Sequence, residues 1–121
     1  MENKSIAVIG LGYVGLPLFC QLSTSFSVVG YDVDNNRINE LSRGIDSKKS
    51  VDRKQLCSAL SNSIVTADIK ELSSSNVFIV TVPTPISKNN KPDTRALENV
   101  CLSISTIIKK NAIVIFESTV Y

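Results

Sequence analysis

The apolar residues of this 121-residue chain fall into short blocks separated by polar stretches. The first block, Ser5 to Ile9, is β-branched and nearly unbroken up to Gly10, which predicts a strand buried on both faces of a parallel sheet. A glycine-rich turn follows, then a helix that must begin near Tyr13 or Val14, because Pro17 is tolerated only in a first turn; Phe19 and Leu22 carry it to about Thr24. Ser27 to Tyr31 reads as the second strand. Asp34 can cap a helix whose inward residues are Ile38 and Leu41, and Gly44 can end it. Between Ile45 and Ser75 the pattern weakens to a helix after Asp52, with Leu56, Cys57 and Leu60 on one side, and a short strand over Ile64 to Thr66. Asn76 to Val82 is a further buried strand, and Pro83 to Pro92 a polar, proline-bearing loop. From Asp93 to Lys110, Leu97, Val100, Cys101, Ile104, Ile107 and Ile108 recur at helical spacing, with Asp93 opening the helix and Lys109 and Lys110 complementing its dipole. Ala112 to Phe116 forms a last strand leading into Glu117, Ser118 and Thr119.

Strands alternating with helices across short connections require right-handed crossovers, and so a doubly wound α/β domain: a parallel sheet covered by helices on both faces. The expectation is one domain over residues 1–121 without repeat or linker, cut before a sixth strand and before any substrate domain.

Composition narrows the function. With 43% hydrophobic and 20% charged residues the chain reads as an ordinary globular protein. Thirteen basic against eleven acidic residues, spread along the chain, leave no electrostatic footprint for nucleic acid. The densest basic run, Lys48, Lys49, Arg53 and Lys54, reads as a solvated stretch, with anion binding as the alternative. No segment reaches the roughly 18 apolar residues of a membrane span, and the amino terminus lacks a secretory signal, so a cytoplasmic protein is expected. Cys20, Cys57 and Cys101 have no metal or disulfide spacing and no histidine to activate them; all three are expected to be buried apolar residues, and no metal site is expected.

The chemistry lies in the turns. Gly10-Leu11-Gly12-Tyr13-Val14-Gly15 matches G-x-G-x-x-G between a predicted strand and a predicted helix, and Asp32 ends the next strand about twenty residues on. Gly10 permits the tight turn, Gly12 lets the backbone approach a pyrophosphate, Gly15 lets helix and strand pack closely, and the N–H groups opening the helix hold the negative charge. Asp32 is suited to the adenine-ribose 2′-hydroxyl and would repel a 2′-phosphate, which favours NAD over NADP. Arg37, one turn into the next helix, either covers the adenine or contacts a phosphate oxygen, or is a solvated helix arginine. Thr81-Val82-Pro83-Thr84-Pro85 stiffens the carboxyl end of a buried strand, where such sheets place their ligands, and Glu117-Ser118-Thr119 ends the last strand on the same edge.

Taken in order, GLGYVGLPL, GYDVDNNRI, TVPTP and ESTV resemble the amino-terminal domain of the UDP-glucose/GDP-mannose dehydrogenase family over essentially the whole chain. Pro83-Thr84-Pro85-Ile86 with Lys91-Pro92-Asp93 further resembles the branch that oxidises UDP-N-acetylhexosamines to uronic acids for surface polysaccharides. The resemblance implies oxidation of a sugar C6 alcohol to a carboxylate in two NAD-dependent steps through a cysteine thioester. It implies that Gly10 to Gly15 bind the pyrophosphate, Asp32 and Arg37 the adenosine part, Val82, Pro83, Thr84, Pro85 and Ile86 the middle of the cofactor, and Ser118, Thr119 and Val120 the nicotinamide side. Thr119 matches the family threonine that positions a water or substrate group at the reaction centre. None of the three cysteines matches the family nucleophile, so this chain alone is expected to be inactive, its UDP-sugar partner engaging only the full-length, homo-oligomeric enzyme.

Two other readings fit the glycine turn. A stand-alone NAD-sensing module would bind the dinucleotide without chemistry. The cofactor domain of a β-hydroxyacid or 6-phosphogluconate-type dehydrogenase would share the turn, but not the proline-rich loop.

Overall fold

A computed structural model describes residues 5–82, 88–91 and 93–117. Five parallel strands, β1 (Ile6–Ile9), β2 (Val28–Tyr31), β3 (Ile64–Thr66), β4 (Val77–Val80) and β5 (Ile113–Phe116), form one sheet in the order β3-β2-β1-β4-β5. The order reverses at β1, which pairs Ile6 with Val28 on one side and with Val77 on the other. That reversal opens a crevice at the carboxyl end of β1, where doubly wound sheets bind their ligands.

Alternation along β1 assigns the two faces. Ile6 and Val8 pack with Leu16, Phe19, Ile38, Leu41 and Leu56, from α1 (Gly15–Leu22), α2 (Asn35–Ser42) and α3 (Arg53–Leu60). Ala7 and Ile9 pack on the other face with Tyr31, Leu72, Phe78, Val80 and Ile104, the last from α4 (Arg95–Ser105). All four residues of β1 are buried, as their unbroken apolar run requires. Phe19 and Phe78, one on each face, are fully buried, each worth roughly 2–3 kcal/mol of apolar transfer.

The carboxylates placed at helix starts behave as local chemistry dictates. Asp34 accepts from the Asn36 and Arg37 N–H groups at the head of α2, and Asp52 forms a reciprocal capping box with Gln55 at the head of α3. Gly44 closes α2: its N–H donates to Leu41 O while Ile45 N–H donates to Glu40 O, the pairing of a Schellman motif.

Several expectations are corrected. α1 starts at Gly15 with Val14 as its N-cap and ends at Leu22. α4 spans Arg95–Ser105, shorter than Asp93–Lys110, so Lys109 and Lys110 lie past its end and do not complement its dipole. Ser105 and Thr106 hydroxyls there donate to the carbonyls of Leu102 and Ser103, a local alternative to continuing the helix. A short 3-10 turn over Ile69–Leu72 was not expected. Cys20 is buried, but Cys57 and Cys101 are exposed. In α3 the inward positions are Leu56 and Ala59, which turns Cys57 outward; in α4 only Ile104 is fully buried. The last strand is one edge of the sheet, opposite β3, and Ile113 and Phe116 there are more than half accessible.

Candidate functional site

The site is built where the strands end. Beyond the regular ladder, Gly10 N–H donates to Tyr31 O, Asp32 N–H to Thr66 O, Thr81 N–H to Ile9 O and Glu117 N–H to Val80 O. These bonds set Gly10, Asp32, Thr81 with Val82, and Glu117 side by side at one edge of the sheet.

Two of the turn's glycines are required by contact. Gly10 has φ +93°, and a Cβ on Gly15 would overlap Gly10 O and Thr81 Oγ1. Thr81, buried, clamps the turn by donating its hydroxyl toward Gly10 O at 2.6 Å and Ile9 O at 3.0 Å. Gly12 differs: among the described residues the only atom near a Cβ placed there is Lys48 Nζ at 3.9 Å, so its backbone is open toward them. The start of α1, like that of α4, has no side-chain cap. Asp34 and Asp52 cap α2 and α3 with carboxylates, whereas Val14 offers α1 no side-chain acceptor. Leu16 N–H donates to Gly12 O and Pro17 has no N–H, so the N–H groups ahead of them in the turn are those an external anion would meet.

Asp32 is held in place rather than free. One carboxylate oxygen accepts the Leu11 N–H at 2.9 Å and the other the Asp34 N–H at 3.0 Å. A carboxylate has about four acceptor positions, so it keeps capacity for two further donors. Asp32 lines a largely apolar cleft of about 300 Å3 between the end of β2 and α4. Tyr31 and Val33 form one wall, Ala96, Asn99 and Val100 the other, and Val82 closes the β4 side. Val33, at 79% exposure, is an apolar residue with no packing reason to be apolar.

Arg37 is not a solvated arginine. It is 5% exposed, and its Nε donates to Leu11 O at 2.8 Å while Nη1 bonds Glu40 and Asp46, both at 2.7 Å. Its Nη2 is buried and has no partner among the described residues. Burial pushes the Asp46 carboxyl up, but bonds from Arg37, Ser50 and the Val51 and Ser50 N–H groups outweigh it and hold the group at about 2. The arginine thereby ties the glycine turn to the loop that follows α2.

Of the sequence-predicted residues, Gly10, Leu11, Gly12, Tyr13, Val14, Gly15, Asp32, Arg37 and Val82 converge on this edge. Pro83, Thr84, Pro85, Ile86, Ser118, Thr119 and Val120 lie outside the described residues. Sequence reasoning missed Val33, Ala96 and Asn99, as well as Glu40 and Asp46 around Arg37. A paired acid at Glu40, three residues on from Arg37, was the available signal for the last group. A second cleft, of about 310 Å3 between α1 and α3, is lined by Cys20 and none of the turn residues. Burial pushes the Cys20 thiol up to about 11, which makes it a poor nucleophile.

Comparison with known proteins agrees with this geometry. The model of the NAD-binding domain of the UDP-glucose/GDP-mannose dehydrogenase family matches residues 4–121. The chain belongs to that family. It is 47% identical over its whole length to the UDP-N-acetyl-D-glucosamine 6-dehydrogenase of Pseudomonas aeruginosa, and 39% identical to that of Salmonella typhi. Among solved structures, UDP-D-ManNAc dehydrogenase from Pyrococcus horikoshii superposes with a TM-score of 0.88 at 36% identity, over 95% of this chain. In each case the chain spans 28% of the relative's length. The fold is that of a dehydrogenase NAD-binding domain, its cofactor is NAD, and the cradle of Gly12, the uncapped α1 and Asp32 fits that group. Among the described residues no group of three metal-ligating side chains is present, and no helix is long and apolar enough to cross a membrane.

Proposed function

We propose that this chain is the cofactor half of a cytoplasmic enzyme that oxidises the C6 hydroxyl of a UDP-N-acetylhexosamine to the uronic acid, for surface polysaccharide. The observation that carries the reading is the Asp32 carboxylate, fixed against the glycine turn at the mouth of an apolar cleft. The names of the two curated relatives supply the sugar. In this reading the backbone of Gly10 to Gly15 faces the pyrophosphate and the free acceptor positions of Asp32 take the adenosine ribose hydroxyls. The adenine enters the cleft between Val33 and α4. Arg37 braces the Leu11 carbonyl beneath the adenosine part. Val82, with Pro83, Thr84, Pro85 and Ile86, borders the middle of the cofactor. Ser118, Thr119 and Val120 lie on the nicotinamide side, with Thr119 at the reaction centre. NAD held there supplies the hydride acceptor for both oxidations. No cysteine of this chain lies at the described edge, so the thioester step belongs to residues outside it, and residues 1–121 alone do not turn over sugar.

The test is NADH formation by the full-length enzyme with UDP-N-acetyl-D-glucosamine, beside a titration of NAD and NADP into the protein and its Asp32→Ala variant. The expected result is two NADH per sugar, with NAD preferred over NADP and that preference lost in the variant. No NADH from any UDP-N-acetylhexosamine would overturn the substrate assignment, and NADP binding as tightly as NAD would overturn the role of Asp32.

A further inference from the structure

The loop between α2 and α3 contains a cation that the glycine fingerprint does not include. Lys48 Nζ lies 3.9 Å from the Cβ position of Gly12 and 5.7 Å from the centroid of the Tyr13 ring, within cation–π range. Its backbone is not free to wander. Lys48 N–H donates to Asp46 Oδ1, Ser47 Oγ donates to Glu40 Oε1, and the Ser50 and Val51 N–H groups donate to Asp46 Oδ2. Asp46 and Glu40 are in turn held by Arg37, which holds the Leu11 carbonyl. The loop that presents Lys48 is therefore fastened to the turn it covers.

Charge accounting shows what the lysine adds. Arg37, the other cation at the turn, faces two carboxylates and is more than neutralised. Among the described residues, a pyrophosphate over Gly12 would meet backbone dipoles and one uncompensated positive charge, the Lys48 ammonium 3.9 Å from the Gly12 Cβ position. We propose that Lys48 is a phosphate-binding arm that supplies the cationic partner of the dinucleotide's pyrophosphate from above the glycine turn. The inference rests on the assignment of the pyrophosphate to Gly10–Gly15, and it adds a specific residue from a segment outside the family's glycine motif. Lys48 is exposed, so its substitution leaves the core intact.

The test is calorimetric titration of NAD into the protein and its Lys48→Ala, Lys48→Met and Lys48→Arg variants, at low and at high ionic strength. A charge contact at a partly exposed site predicts roughly three- to tenfold weaker binding for the alanine and methionine variants at low salt, a gap that narrows at high salt. Lys48→Arg should retain affinity within about twofold. Methionine keeps the apolar stem over Tyr13 without the charge, so a methionine variant binding like the unsubstituted protein at low salt would overturn the proposal. Failure of the unsubstituted protein to bind NAD would instead overturn the pyrophosphate assignment, and the inference with it.

Discussion

At the scale of single residues, the three glycines of one motif carry different physical burdens and can be separated experimentally. A methyl group on Gly15 would penetrate the Gly10 carbonyl and the Thr81 hydroxyl, neither of which can retreat without breaking the join between β1 and β4. Gly15→Ala should therefore cost on the order of 3 kcal/mol or more of stability in a denaturant titration, or prevent folding. Gly12→Ala meets no atom of another described residue outside its chain neighbours closer than 3.9 Å, so its unfolding midpoint should shift little while NAD affinity falls, because the methyl occupies the backbone's approach to the pyrophosphate. Equal destabilisation by both substitutions would show that Gly12 is structural. The motif itself was legible in the sequence because strand, turn and acid all have fixed spacing. Arg37 was not: its type and position allowed either exposure or ligand contact, and only the fold brings Leu11 O, Glu40 and Asp46 around it.

At the scale of elements, the segments that the sequence delimits well are those with an independent start or stop signal. Asp34, Asp52 and Gly44 each act through a few neighbouring residues, so α2 and α3 begin, and α2 ends, where local chemistry places them. α4 lacks such a stop, and apolar spacing alone carries the expected helix past its true end. The loop from Asp46 to Val51 was least legible, because an aspartate that gathers bonds from Arg37, Ser50 and Val51 leaves no periodic trace. Its carboxyl is 2% exposed and held at about 2, against an ordinary value of 3.8. The native pKa is depressed, so the stabilisation is fully present above the unfolded value near 4 and is lost as pH falls toward 2. That loss is on the order of 2 kcal/mol. Urea titrations between pH 5 and pH 2 should show stability falling over this window, and the corresponding slope should be shallower in Asp46→Asn. An identical acid profile in that variant would remove Asp46 as its source.

At the scale of the whole molecule, stability should decline from the sheet's centre toward β5. β1 is paired on both sides, buried throughout and covered by helices from both faces, whereas β5, among the described residues, pairs only with β4 and leaves Ile113, Ile115 and Phe116 substantially accessible. Strand amides open with free energies that follow such differences in burial and pairing. Amide hydrogen exchange should therefore be slowest at Ala7 to Ile9 and at their partners Val29 and Phe78, and faster at Ile113 to Phe116. The cofactor site straddles this gradient, because the glycine turn and Asp32 hang from the stable centre while Glu117 follows the exposed edge. NAD should slow exchange at Leu11 to Leu16 and at Asp34, whose amides adjoin the turn and the Asp32 carboxylate, and change β5 little by comparison. Protection that appeared first in β5, with the turn unaffected, would move the dinucleotide away from the glycine motif to the other end of the sheet order.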